Sequence, residues 1–165
     1  MQNHLHFVCP TDYLEPIINN SFKHRNYYYT SLGNSVVFND KIINQIEGLI
    51  KKNNIRKISF VLSNDNRIVL DALGNHDFPE ITGLNNFHYE ITRQKECSEM
   101  LWQTCNRQFS ILSYYLNKKI KELELELSNL SIDQIKISGK IYNKQESIFS
   151  DIYSDLICRE YFSLN

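Results

Sequence analysis

No run of about 18 apolar residues occurs, so no segment is expected to cross a membrane. The first residues, Met1 to His6, have neither the basic start nor the long apolar run of a secretory signal, and a cytoplasmic location is expected. There is no excess of basic residues: 18 Lys and Arg against 19 Asp and Glu leave a net charge of -1. A protein that neutralises phosphates shows such an excess, so nucleic acid is not an expected partner. Cysteine is sparse and scattered at Cys9, Cys97, Cys105 and Cys158, with no C-x-x-C pair and no Cys/His cluster at zinc-finger spacing. Reduced, buried structural thiols are the expectation. Ala72 is the only alanine, glycine occurs five times and proline three times, while Asn, Ile and Lys abound, a bias of the genome rather than a mark of function. The remainder is ordinary: 42% hydrophobic and 22% charged residues argue against wholesale disorder. A length of 165 residues suits a single domain, 1–165, with a core over about 4–152 and a C-terminal tail over 153–165.

The apolar segment His4 to Cys9 reads as a buried strand ending at Pro10-Thr11-Asp12. Thr11 or Asp12 is then the expected cap of a short helix through Leu14, Ile17 and Ile18. Asn26 to Leu32 is aromatic and β-prone and stops at the turn signal Gly33-Asn34. Ile42, Ile43, Ile46, Leu49 and Ile50 recur at helical spacing after Asp40, the expected N-cap, and Lys51-Lys52 suit the negative end. Ile58 to Leu62 reads as a second apolar strand, ended by Ser63-Asn64-Asp65-Asn66. Gly74 to Asn86 reads as loop.

From Cys105 to Leu130 apolar residues step by threes and fours, which predicts one long helix or two with a kink near Asn117; over 92–130 the sequence leaves both open. The 3.5-residue average also allows a coiled-coil seam, although a helix packed on a sheet is the simpler reading. Ile135 to Tyr142 alternates as a half-exposed strand does, and Ser147 to Ile152 continues as a hairpin arm. Strand, crossover helix, strand implies a right-handed parallel unit. The order β-α-β-α-β-loop-α-β therefore predicts an α/β fold with a mainly parallel central sheet flanked by helices. Ligands in such folds sit at the carboxyl ends of strands, here Cys9 to Tyr13, Thr30 to Asn34 and Ser63 to Arg67.

These ends, taken together, resemble the β-class carbonic anhydrases. Phe7-Val8-Cys9-Pro10-Thr11-Asp12-Tyr13 is similar to the family's Cys-x-Asp-x-Arg strand end. Tyr28-Tyr29-Thr30-Ser31-Leu32-Gly33-Asn34 is similar to its Arg-Asn-Ala-Gly-Asn turn. Phe60 to Arg67 takes the place of Gly-His-Ser-x-Cys-Gly, and Ile135 to Ile152 resembles the family's late strand. The resemblance spans roughly 5–152, without the family's N-terminal helical arm. It implies a Rossmann-like three-layer arrangement, a homodimer with the cleft near its interface, and a zinc held by one Cys, one His and a second Cys.

Cys9 matches the first ligand, but the other two positions carry Asn64 and Arg67. A neutral amide and a guanidinium cation are not zinc ligands, and a catalytic zinc needs about three protein ligands. The family's Asp-Arg pair falls on Thr11 and Tyr13, with Asp12 one residue out of register. The expectation is a catalytically silent, metal-free relative without cofactor, in which Cys9 is vestigial. Cys9, Thr11, Gly33, Asn34, Asn64 and Arg67 then form a small-anion site, or the protein is a structural homodimer to which the Tyr27-Tyr28-Tyr29 run contributes core and interface. The alternative is a zinc-dependent carbonic anhydrase, or another lyase or hydrolase, using Cys9 with relocated ligands, of which His76 is the first candidate and Asp77 and His88 follow. A thiolate nucleophile at Cys9 would need a base such as His24 or His76, because strand alternation puts His4 and His6 on the opposite face. Arg67 pairing with Asp65 or Asp71 on the surface is the simpler reading of that residue.

Overall fold

A computed structural model describes residues 2–74, 84–101, 107–132 and 134–154, with the backbone alone described at 94 and 97–101. Five strands form one sheet in the order β2-β1-β3-β4-β5: β1 Asn3–Val8, β2 Arg25–Thr30, β3 Ile55–Ser63, β4 Lys136–Asn143 and β5 Ile148–Asp151. The first four are mutually parallel and β5 runs antiparallel to β4. The expected mainly parallel sheet and its C-terminal hairpin arm are both present.

Alternation along the strands builds two cores. Leu5 and Phe7 of β1 pair in register with Ile58 and Phe60 of β3 and pack on one face, where the Phe7 and Phe60 rings stack at 4.6 Å. Helices α2 (Asp40–Asn53), α3 (Arg67–Leu73), α4 (Leu84–Leu101) and α5 (Arg107–Asn129) bury their apolar stripes on this face, through residues such as Ile46, Val69, Phe87 and Leu116. Val8 and Val61 point the other way and meet Ile18 of α1 (Glu15–Ser21) and Leu14, which precedes it. Among the described residues, helices therefore flank the sheet on both faces, four on one and one on the other. The Ile152 side chain packs directly over Gly139, where a Cβ would lie 2.5 Å from Ile152 Cδ1 and would oblige that side chain to move.

Several local expectations are corrected. Asn39, not Asp40, caps α2: its Oδ1 accepts the Ile42 N–H at 3.0 Å, and Asp40 is already helical. Neither Thr11 nor Asp12 caps α1, since a single 3-10 turn over Pro10–Asp12 and a left-handed Tyr13 come first. The expected loop over 74–86 is entered from α3 and is helical again from Leu84, while 75–83, including His76 and Asp77, lie outside the described residues. Asn117 marks no kink, because α5 runs through it and its Nδ2 donates to the Tyr153 carbonyl at 2.7 Å. The stretch 92–130 resolves into α4 and α5, with 102–106 outside the described residues.

All three tyrosines of the 27–29 run pack within the chain. Tyr27 and Tyr29 join the larger core, while Tyr28 lies against α1 with its hydroxyl donating to Asn19 Oδ1 at 2.7 Å. Among the described residues no helix is long and apolar enough to cross a membrane.

Candidate functional site

The carboxyl ends of β1, β2 and β3 meet beneath α3, α4 and α5. Cys9 follows β1 directly and is fully buried. Its Sγ accepts the Gly33 N–H at 3.1 Å and lies 3.1 Å from Thr11 Oγ1. Gly33 occupies φ +60°, a left-handed conformation that glycine adopts without a Cβ penalty. Any Cβ there would stand 2.9 Å from Phe87 Cζ and 3.1 Å from Ile68 Cγ2. The turn thus needs glycine for its dihedral and for its space.

Asn34 is buried beside it. Its Nδ2 donates to the Val61 carbonyl at 3.1 Å, its N–H to Ser31 O at 3.1 Å, and its own carbonyl accepts the Tyr115 hydroxyl at 2.8 Å. Burial, with Glu122, Glu90 and Cys9 adding to it, holds the Tyr115 phenol well above its ordinary range, so it stays a neutral donor. Phe87 and Tyr115, whose rings meet edge to face at 5.3 Å, close the space over Gly33 and Asn34. Nothing in the local sequence marks either residue, because each reaches the site from a helix more than 50 positions away.

The third strand end is organised by Asp12. Its Oδ2 accepts the Ser63 N–H at 2.9 Å and its Oδ1 accepts Asn66 Nδ2 at 2.9 Å, while Asn66 Oδ1 caps α3 through the Val69 N–H at 3.0 Å. Burial raises the Asp12 carboxyl against the lowering effect of those two bonds. Asn64 turns away toward the β4–β5 turn: Nδ2 donates to Gln145 Oε1 at 3.1 Å, Oδ1 accepts the Lys144 N–H at 3.4 Å, and the carbonyl accepts from Gln108 Nε2. Arg67 opens α3, exposed, and pairs with neither expected acid. Asp65 instead takes Lys144 at 3.2 Å and Ser63 Oγ at 2.5 Å, and Asp71 lies 3.6 Å from His88 Nε2.

Three of the expected residues, Cys9, Thr11 and Gly33, are brought into one hydrogen-bonded unit, with Asn34 adjoining it. Asn64 and Arg67 are not joined to that unit by any hydrogen bond among the described residues. The Gly33 N–H donates to Cys9 Sγ and the Asn34 N–H to Ser31 O, while the Asn64 side-chain amide serves the β4–β5 turn. The zinc donor set does not fit. Of its three positions one holds a thiol committed to an N–H and a hydroxyl, one an amide and one a cation. Among the described residues, no three His, Cys, Asp or Glu side chains group as a metal site. His88 lies against Asp71, and His24 sits 6.4 Å from His4, on the face opposite Cys9.

A parallel sheet in the order 2-1-3-4 with an antiparallel fifth strand, and a Cys-led strand end beside a glycine turn, define the β-carbonic anhydrase fold. No family model and no curated relative matches the sequence. Solved structures do. The wild-type β-carbonic anhydrase CafD of the filamentous fungus Aspergillus fumigatus superposes with a TM-score of 0.72 at 14% identity, over 92% of this chain and 90% of that one. Tetrameric β-carbonic anhydrases from the ascomycete Sordaria macrospora give 0.70 at 12% identity, over 92% and 81%. The Coccomyxa β-carbonic anhydrase in complex with acetazolamide gives 0.67 at 11% identity, over 91% and 71%.

Proposed function

We propose that this chain is a catalytically silent, metal-free relative of the β-class carbonic anhydrases that acts as a structural homodimer. The observation that carries the reading is the state of Cys9: fully buried, its sulfur held by Gly33 N–H and Thr11 Oγ1, with Phe87 and Ile68 packed against the same glycine. A ligand position has become packing. The other two ligand positions carry an amide that ties down the β4–β5 turn and an exposed cation. Self-association is supported by the tetrameric assembly of the Sordaria proteins of the same fold.

The anion reading keeps one supporting observation, that Arg67 is exposed at a strand's carboxyl end without an ion-pair partner among the described residues. One exposed guanidinium is not a site, and the homodimer is preferred. The test is made on one preparation purified in zinc-supplemented buffer, by metal content, carbon dioxide hydration and light-scattering mass. Less than about a tenth of a zinc per chain, no hydration above buffer and a mass of two chains are expected. Stoichiometric zinc with turnover overturns the silent reading, and a monomer overturns the structural one.

A further inference from the structure

A second feature, independent of the Cys9 reading, is a cavity of about 510 Å³ bounded by residues 35–38, the first turns of α4 and the outer face of α5. We propose that this cavity binds a small organic cation, an ammonium group carried on an apolar or aromatic body.

The charge balance inside it is uneven. Both ammonium groups on its wall are already committed. Lys119 is buried, donates to the Val36 carbonyl at 3.0 Å and to Glu122 Oε2 at 3.2 Å, and lies 5.8 Å from the centre of the Phe38 ring. Lys118 pairs with Glu90 and approaches Glu122 Oε1 at 3.9 Å. Three carboxylates face these two cations, and Glu126 has neither a hydrogen bond nor an ion pair to any described residue. Glu90, paired with Lys118 through Oε1, keeps its Oε2 buried without a hydrogen-bond partner, an acceptor left open to an N–H donor. Glu126 also stands eight positions from Lys118 along α5, about 12 Å at helical rise, so the lysines repel a cation at that end only weakly.

The rest of the wall suits the body of such a ligand. Phe38, Phe87, Tyr89 and Tyr115 supply aromatic surface, and the negative face of a ring attracts an ammonium. Lys119 over Phe38 is an example already in place. The mouth carries unusually exposed apolar side chains, Val37 at 56%, Tyr89 at 61% and Leu125 at 62%. An apolar body laid on these three removes them from water, while a carboxylate at their side fixes the charged end. An anion meets the opposite situation, two lysines already neutralised and a free carboxylate. A cavity of this size lies within the range of small-molecule sites.

The test is a titration of the full chain with 2-phenylethylammonium chloride, followed by calorimetry and by methyl NMR of the valines and leucines. Its neutral and anionic counterparts, 2-phenylethanol and phenylacetate, are titrated at the same ionic strength. Saturable binding of the amine is expected, with shifts at Val37 and Leu125, and binding of the other two at least tenfold weaker. Glu126→Gln should weaken the amine at least tenfold while leaving the melting temperature unchanged, since Glu126 holds no described partner. Tyr89→Ala, also at an exposed position, should weaken all three probes. No saturation, equal binding of the three probes, or an amine affinity indifferent to E126Q overturns the proposal.

Discussion

Asp12 and Asn66 are joined by a hydrogen bond of 2.9 Å that links the end of β1 to the start of α3. The same carboxylate accepts the Ser63 N–H, and the same asparagine caps α3, so a single buried acid sets both the exit of β3 and the entry of the following helix. Replacing Asp12 by Ala leaves a buried N–H and a buried amide without acceptors. Stranding such groups costs about 1–3 kcal/mol each, so a loss of about 2–5 kcal/mol is expected for Asp12→Ala by urea denaturation. A loss below about 1 kcal/mol would show that water replaces the carboxylate and that the bridge is not structural.

Asp12 also shows what could be read in advance and what could not. In the sequence it stands one residue out of register with a family aspartate, and no pattern says that it bonds residues 51 and 54 positions away. The alternation at His4, Leu5, His6 and Phe7 was legible, because a period of two sorts side chains between faces whatever covers them. The mainly parallel sheet and the hairpin arm were legible because short apolar runs joined by helices and turns leave few topologies, whereas the spatial order of the strands was not read from the sequence. Caps were legible only to within a residue: Asn39 and Asp40 are both capping types, and the backbone angles decide between them. Phe87 and Tyr115 were not legible as parts of the site, since only the tertiary packing of α4 and α5 brings them over Gly33.

Gly33 and Gly48 should respond to alanine in opposite directions. At Gly33 the left-handed backbone costs a Cβ-bearing residue about 1–2 kcal/mol, and the clash with Phe87 and Ile68 adds overpacking of about 1–3 kcal/mol. Gly33→Ala is expected to destabilise by about 2–4 kcal/mol. Gly48 lies on the exposed face of α2 with nothing within 4 Å of a built Cβ, and Gly48→Ala should stabilise by about 0.5–1 kcal/mol. Denaturant midpoints of the two variants decide the matter, and equal shifts would contradict the packing described over Gly33.

The stacked imidazoles of His4 and His6, 4.0 Å apart, make stability depend on pH. Burial, then the charge of His6 and of His24, Lys57 and Lys140, lowers His4 to about 3. Burial lowers His6 to about 4, against the hydrogen bond it makes to Asn26 Oδ1, which raises it. The tautomer of His6 follows from Asn26: its Nδ2 is spent on Asn19 and the Phe22 carbonyl, so its Oδ1 accepts and His6 Nε2 carries the hydrogen. Both rings are neutral in the fold and take a proton below about pH 6.5 when unfolded. The stability they support is therefore complete above that pH and is lost as pH falls toward their folded values. The loss is about 1.4 kcal/mol per pH unit for each ring once the unfolded rings are largely protonated. His4→Gln should show a shallower fall than the parent between about pH 6.5 and 5, and parallel curves would mean that His4 is not held neutral.

Cys9 offers the most direct check on the state of the site. A thiol at zero exposure, bonded to Gly33 N–H and Thr11 Oγ1, is out of reach of a reagent in solution until the turn over it opens. Such opening needs Phe87 and Tyr115 to leave Gly33 and Asn34, which exposes buried aromatic surface and breaks the Tyr115 bond to the Asn34 carbonyl. Iodoacetamide at pH 7 is therefore expected to leave Cys9 unmodified over an hour in the native protein and to label it fully in denaturant, read by peptide mass spectrometry. Phe87→Ala removes one of the two covering rings and should raise the native labelling rate at least tenfold. Rapid labelling of the unaltered native protein would mean that the thiol is accessible, and a nucleophilic role for Cys9 would then have to be taken up in place of the vestigial one.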